Sequence, residues 1–274
     1  MRVHIVEPYN SHAMKRMASP LLSLPYEVSI SKDPDANADV NIHIPWHTMR
    51  EGGKNIIVYT HVNPPDKLKL LEVCDKADVI TSMSERGKEE LIDFGVDPSK
   101  IHVVYCGADY QFRKRVIGVV GTVQPNGRKG ESILLDLAWN YDLSPYEFLI
   151  VGQGWEETGK KLISLGVSLK YIEGANDEQM QTIYNAMDVL LSTGYTEGGP
   201  LPVLEALAAG VPVISKDYGF ASDFLSKHYR THADIWDMLN GLFYDVIQNR
   251  KRVEDLTWSN YVKDYQKIIE GLYA

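Results

Sequence analysis

The sequence predicts an α/β fold built on parallel sheet. Residues 188–215 read DVLLSTGYTEGGPLPVLEALAAGVPVIS, which is a buried apolar strand (Asp188 to Ser192), a Gly/Pro turn, a helix, and a second buried strand (Val211 to Ser215). That order is the repeating unit of parallel α/β sheets. Short apolar runs closed by a glycine or a polar loop recur on both sides of it, as in RVHIV, NIIVYT and RVIGVVG. The composition is 44% hydrophobic, 24% charged and 10% aromatic, that of an ordinary globular protein, and 274 residues allow one large or two modest domains.

Taken in order, Arg2 to Val6 is a strand, followed by a loop and a helix from Ser11 to Leu24. Tyr26 to Ser31 alternates as a strand and Val40 to Ile44 is another, with Asp33-Pro34-Asp35 between them as a polar turn. Asn55 to Thr60 is the clearest strand of the first half. His61 stands at its carboxyl end, where open parallel sheets place their ligands. Lys67 to Lys76 reads as helix, Asp78 to Thr81 as strand, Ser84 as the N-cap of a helix through Phe94, and Ile101 to Tyr105 as strand.

The polar stretch Gln111 to Arg115 marks a domain boundary, giving domains at 1–112 and 113–257. Arg115 to Gly121 opens the second domain and leads through Thr122-Val123-Gln124-Pro125-Asn126-Gly127-Arg128-Lys129-Gly130 into a helix from Glu131 to Asn140. Glycine-rich backbone and two adjacent cations ahead of a helix make a candidate diphosphate cradle, also readable as an ordinary polar turn. Phe148 to Val151 and Ser168 to Ile172 are strands, and Glu178 to Ala186 is a helix. The spacing is Rossmann-like, but Gly152-Gln153-Gly154 falls short of a full G-x-G-x-x-G, so nicotinamide binding is not expected. Asp223 to Tyr244 reads as mostly helical, and Asn260 to Leu272 carries one apolar face through Tyr261, Val262, Tyr265, Ile268, Ile269 and Leu272.

Bulk properties exclude several classes. The net charge of −9 and the absence of long basic clusters argue against a nucleic-acid surface, and an acidic chain that binds a diphosphate must concentrate positive charge locally. Cys74 and Cys106, the two cysteines, form neither a metal-ligand pattern nor a disulfide framework, so a reducing compartment is expected. Met1 to Pro8 has no signal-peptide pattern and no apolar run reaches about 18 residues. A cytoplasmic protein without a membrane span is the expectation, with peripheral membrane docking left open.

Between Val189 and Ser215 the charged side chains are Glu197 and Glu205. Eight helical residues would separate them by roughly 12 Å along the axis, more than the about 5–9.5 Å between the paired carboxyls of a glycosidase. Two contacts on one elongated ligand, with an anion at the helix start, is the better reading. A nucleotide-sugar has that shape.

EGGPLPVLEALAAGVPVIS resembles the Glu-x7-Glu signature of retaining glycosyltransferases of family 4, which have the GT-B fold. The resemblance extends to ADVITSMSERGKEELIDFGVDPSKIHVVYCGAD, where Gly107 and Asp109 match a Gly-x-Asp element, to Lys129-Gly130, to Lys216 to Phe220, and to Thr257-Trp258 before the last helix. It implies two Rossmann-like domains with parallel sheets facing a cleft and a last helix, about 258–274, crossing back to the first domain. The first domain would serve the acceptor and the second a nucleotide-diphosphate sugar.

The implied chemistry is metal-independent, retaining transfer of a hexose, from a donor of UDP-glucose or GDP-mannose type, to a hydroxyl on a carbohydrate-type acceptor, with no cofactor or metal. The implied catalytic residues are Glu197, Lys129 and His61. Arg128, Gly121, Thr122, Glu205, Gly198, Gly199, Pro200, Leu201 and Ile172 are the candidate donor-binding residues. Lys129, Arg128 and the amides of Gly199 to Leu201 would take the diphosphate, Glu197 the sugar hydroxyls, Glu205 the ribose, and Ile172 the neighbourhood of the base. The first domain, 1–112, is shorter than is usual in the family, and the chain departs from the family pattern in three further places. Tyr9-Asn10-Ser11-His12 replaces a Gly-Gly loop, Thr122 stands where relatives have Arg, and 223–244 replaces a glycine turn and strand. Asp33-Pro34-Asp35 has the Asp-x-Asp form used for metal in the other large glycosyltransferase fold, and is read as a turn. Open alternatives are a nucleotide-sugar-binding protein without transfer activity, a GT-B-like epimerase and a sugar phosphorylase.

Overall fold

Continuous apolar strands such as Phe148 to Val151 must be covered on both faces, and this sets the architecture. The structure, a computed structural model, describes the whole chain except Asn10, Glu51, Pro125 and Thr196. Asn10 of the first loop, Pro125 of the candidate cradle and Thr196 of the central stretch therefore lie outside the described residues. The chain divides into one unit of Met1–Tyr110 with Arg252–Ala274 and a second of Gln111–Lys251.

The first unit carries β1 (Arg2–Val6), β2 (Glu27–Ser31), β3 (Val40–His43), β4 (Lys54–Tyr59), β5 (Val79–Ser82) and β6 (Ile101–Val103). All pair in parallel in the order β2-β1-β3-β4-β5-β6. Its helices α1 (His12–Ala18), α2 (Lys67–Lys76) and α3 (Glu85–Asp93) connect them. The helix expected through Leu24 stops at Ala18 and continues as a 3-10 turn over Ser19–Ser23. Pro20, which has no N–H and blocks the α-helical i−4 bond, accounts for the change. Ser84 caps α3 as its sequence position requires, accepting from the Gly87 N–H at 3.0 Å.

The second unit carries β7 (Arg115–Val120), β8 (Tyr146–Val151), β9 (Ser168–Ile172), β10 (Val189–Ser192) and β11 (Val213–Ser215), all parallel in the order β11-β10-β7-β8-β9. Helices α4 (Glu131–Asn140), α5 (Glu156–Ser164), α6 (Asp177–Asn185), α7 (Leu201–Ala208), α8 (Phe220–Phe224) and α9 (His232–Val253) cover both faces. Phe148 and Ile150 pack with Leu134, Leu137 and Leu239 on one face, while Leu149 and Val151 meet Ile183, Tyr184 and Ala206 on the other. Each fully buried side chain of this kind contributes roughly 1.5–3 kcal/mol. Two layers of them hold the sheet.

The last helix, α10 (Trp258–Gly271), belongs to the first unit, where Tyr261, Tyr265, Ile268 and Ile269 join Val3, Ile5, Ile42 and Ile56 in one core. Its start is built by the Gly-x-Asp element. A Cβ on Gly107 would lie 2.2 Å from the Trp258 nitrogen, and Asp109 accepts from the Trp258 N–H at 3.2 Å. Those two residues serve the fold. The two parallel α/β units with the returning helix give the fold class expected from the resemblance. No helix among the described residues is long and apolar enough to cross a membrane.

Candidate active site

Strand order locates the crevices. In an open parallel sheet, ligands sit at the carboxyl ends of strands where the order reverses. In the second unit that point lies between β7 and β10. The loops leaving these two strands carry Gly121 to Gly130 and Thr193 to Pro200.

The cradle loop is tied to its neighbour along its length. Tyr195 donates its backbone N–H to the Arg128 carbonyl at 2.9 Å, and the Thr193 hydroxyl donates to the Lys129 carbonyl. Gly130, at φ 73°, ends the loop and begins α4. A Cβ there would fall 2.0 Å from the Thr193 carbonyl oxygen, so the loops approach this closely because residue 130 has no side chain. The Lys129 side chain lies across Gly121, where an added Cβ would meet its Nζ at 3.3 Å. Thr122 follows Gly121 as an exposed residue.

At this junction Glu197 is clasped by both predicted cations. Lys129 Nζ donates to Glu197 Oε1 at 2.6 Å and Arg128 Nη1 to Oε2 at 3.1 Å. The Glu197 side chain is 13% exposed, that of Lys129 22% and that of Arg128 37%. The three residues expected to meet sugar and diphosphate thus form one charge cluster, with the carboxylate between the two cations. Charge-assisted bonds of this length are roughly twice as strong as neutral ones.

Beyond Glu197 the chain turns against α8. A Cβ on Gly199 would lie 2.9 Å from the Phe220 ring, while at Gly198 it would meet open space. Pro200 caps α7 and Leu201, 62% exposed, is its first residue. The expectation that the amides of Gly199 to Leu201 seat an anion needs correction, because Pro200 has no N–H. Pro202 has none either, and the Val203 N–H is bonded to the Pro200 carbonyl at 2.9 Å, leaving Gly199 and Leu201 as donors. Glu205 stands apart from the clasp on the second turn of α7, accepting from the Tyr184 hydroxyl at 2.6 Å. Burial of the Tyr184 hydroxyl, then the Glu205 carboxylate beside it, push its pKa well up. Ile172 ends the edge strand β9, separated from β10 by β8 and β7, and packs against the α6 face.

Near the clasp, Tyr195 and Tyr229 are not singled out by the sequence, and Lys216 and Tyr218 enter it only within the matched stretch Lys216 to Phe220, with no site role. Tyr195 reaches the first turn of α4 through its hydroxyl, 2.8 Å from Ser132 Oγ. Lys216 Nζ stands 4.2 Å from the Tyr195 ring centroid and 5.7 Å from that of Tyr229. Tyr218 shares a 2.8 Å hydrogen bond with Ser192 at the end of β10. The signal available was position alone: Lys216 to Tyr218 follow a strand that neighbours the crevice.

In the first unit the order reverses between β1 and β3. His61 is exposed after β4, and its carbonyl accepts from Trp46 Nε1–H at 2.9 Å. It lines a cavity of about 200 Å³ with Trp46, His47, Asn63, Asp66 and Lys69. His47, which sequence reasoning missed, hydrogen-bonds the Tyr9 hydroxyl across the β1 and β3 loops. Burial, and then the charges of Lys69 and His61, hold its pKa below the ordinary histidine value. Asp33-Pro34-Asp35 is a loop that leads into a turn at Ala36 and Asn37, with Asp35 Oδ1 accepting from the Asn37 N–H at 2.8 Å. Among the described residues no group of three or more His, Cys, Asp or Glu is placed to hold a metal ion.

Two family models match consecutive stretches of the chain: glycosyltransferase family 4 over residues 38–112 and glycosyl transferases group 1 over 111–258. The MMP alpha-(1->4)-mannosyltransferase of Mycolicibacterium hassiacum is 28% identical over 155 residues, covering 52% of this chain and 37% of the relative. The D-inositol 3-phosphate glycosyltransferase of Corynebacterium jeikeium is 26% identical over 216 residues, covering 64% and 51%. The chain thus spans about half the length, or less, of these curated relatives. A solved structure of Anabaena Alr3699/HepE in complex with UDP and glucose aligns over 99% of this chain and 100% of that one, at 12% identity and a TM-score of 0.41. With the larger family model spanning more than half of its residues, from the start of the second unit through the whole Glu-x7-Glu stretch, the chain belongs to the glycosyl transferases group 1 family.

Proposed function

We propose that this chain transfers a hexose from a nucleotide-diphosphate sugar to an acceptor hydroxyl, with retention at the anomeric carbon and without a metal ion. The observation that carries this reading is the Arg128–Glu197–Lys129 clasp at the β7/β10 crevice. Two cations that can take a diphosphate sit beside a carboxylate that can take sugar hydroxyls.

In the proposed reaction the bond between the anomeric carbon and the diphosphate oxygen breaks, and its electron pair leaves with the diphosphate. Lys129, Arg128 and the amides of Gly199 and Leu201 stabilise that charge, a preorganised electrostatic contribution. The acceptor oxygen attacks from the face the diphosphate leaves, and its proton passes to the departing phosphate oxygen. Glu197 turns from the cations to the sugar hydroxyls as the diphosphate takes its place. Glu205, already a hydrogen-bond acceptor, holds the ribose hydroxyls, and Ile172 lies toward the base. In the first unit, the cavity lined by His47 and His61 takes part of the acceptor.

The reading is tested by calorimetric titration of UDP-, GDP- and ADP-sugars with EDTA present, followed by assay for transfer across a panel of sugar acceptors. Binding of one nucleotide-sugar with release of its diphosphate on transfer is expected. Binding without hydrolysis or transfer would instead support a nucleotide-sugar-binding protein, and no binding at all would refute the proposal.

A further inference from the structure

We propose that Lys216 is a third phosphate-binding cation of the donor site, beyond Arg128 and Lys129, and that, unlike them, it has no carboxylate partner among the described residues. The inference rests on the donor reading above and assigns a further residue to it.

Position supports it first. Lys216 directly follows β11, the neighbour of β10, so its backbone lies at the carboxyl edge of the sheet beside the reversal point. Tyr195 links it to the cradle: the ring stands 4.2 Å from Lys216 Nζ, the backbone N–H bonds the Arg128 carbonyl at 2.9 Å, and the hydroxyl meets Ser132 Oγ at 2.8 Å on α4. One residue therefore contacts the ammonium, the cationic loop and the helix start.

Charge accounting supports it second. Arg128 and Lys129 share Glu197, so the clasp holds two positive charges and one negative. Among the described residues Lys216 has no carboxylate partner, and its neighbour Asp217 is directed instead to His228 at 3.7 Å. Half-buried, Lys216 is faced by the rings of Tyr195 and Tyr229. Burial lowers its pKa, the sign expected of an ammonium that has lost water without gaining an anion. Aromatic faces compensate a cation only partly. A diphosphate would complete the compensation, and would meet Lys216 without first breaking an ion pair.

The test is calorimetric titration of UDP, GDP and ADP into the wild-type chain and into the Lys216→Met and Lys216→Arg variants, at low and high salt. For the diphosphate that binds, Lys216→Met is expected to weaken affinity on the order of tenfold and to flatten its salt dependence, as loss of one charge-assisted phosphate contact requires. Lys216→Arg is expected to retain both. A merely structural lysine would change the thermal midpoint of the free protein without changing the salt slope. Lys216→Gln supplies the same comparison should the Met variant be unstable. Wild-type affinity and salt slope in Lys216→Met would overturn the inference and leave the donor reading intact. Failure of all three diphosphates to bind the wild type would overturn the reading and the inference with it.

Discussion

Replacing Glu197 by Gln removes the negative charge held between Lys129 at 2.6 Å and Arg128 at 3.1 Å, and keeps the side chain's size. Two opposed consequences follow from one geometry. Breaking a fully buried pair by removing one partner costs about 3–5 kcal/mol. Here both cations can turn toward water, Arg128 being 37% and Lys129 22% exposed, so a loss of about 1–2 kcal/mol is expected. In a unit of this size that lowers Tm by about 3–8 °C. Affinity for a nucleoside diphosphate moves the other way. A unit charge about 4 Å from a cation is worth about 4 kcal/mol at an effective dielectric constant near 20. Recovering even a third of that once the competing carboxylate is gone tightens binding roughly tenfold. Differential scanning fluorimetry and calorimetry on Glu197→Gln and wild type read both signs together. A variant that is less stable yet binds the diphosphate no more tightly would refute the idea that Glu197 occupies the anion's place.

Lys129→Ala is expected to depress turnover by up to a few kcal/mol of barrier, far more than it lowers stability; unchanged steady-state transfer would remove Lys129 from the reaction. Glu205→Ala is expected to weaken donor binding, measured by titration, with wild-type affinity contradicting its ribose role. Gly130→Ala should destabilise the chain by more than about 2 kcal/mol in a denaturant titration, since its Cβ falls 2.0 Å from the Thr193 carbonyl at a φ of 73°; a change within about 0.5 kcal/mol would count against that packing. His43, buried and 2.9 Å from Asn55, has its pKa held below 6.5 chiefly by burial, and His47 shifts the same way. Between the lowered values and about 6.5 the unfolded chain binds the protons and the folded chain does not, so stability is full above that window and falls as pH drops through it. Urea midpoints from pH 7.5 to 5 measure the slope, which His43→Gln should flatten.

The strands and the candidate loops could be read one by one because their signals are local. Glycine before a helix, a proline-started turn and apolar runs depend on neighbours a few residues away. Pro20 is a local signal too, and it ends the first helix at Ala18. Helix α5 was missed because Gly159 and Leu162 are its only buried residues, too few for an apolar stripe. Contacts set by strand order were not legible. Glu197 and Lys129 are 68 residues apart, and they meet because β10 inserts beside β7. Tyr9 and His47 meet for the same reason, because β3 follows β1 across the first sheet. Glu205 stands out as a carboxylate in an apolar run, but its bond to Tyr184 depends on how α6 packs beside α7. Glu197 and Glu205, expected to meet a ligand, are each engaged by side chains of the protein, which the spacing of residues cannot express.

The proposed reaction at the β7/β10 clasp is metal-free sugar transfer with retention. It is tested by an NMR-followed reaction of the purified chain with UDP-glucose or GDP-mannose and a sugar acceptor in EDTA, reading free UDP or GDP and the anomeric configuration of the product. One nucleoside diphosphate released per sugar transferred, the donor's anomeric configuration kept in the product, and loss of both signals in Lys129→Ala are expected. An inverted product, a reaction that EDTA abolishes, or full activity in Lys129→Ala would contradict it.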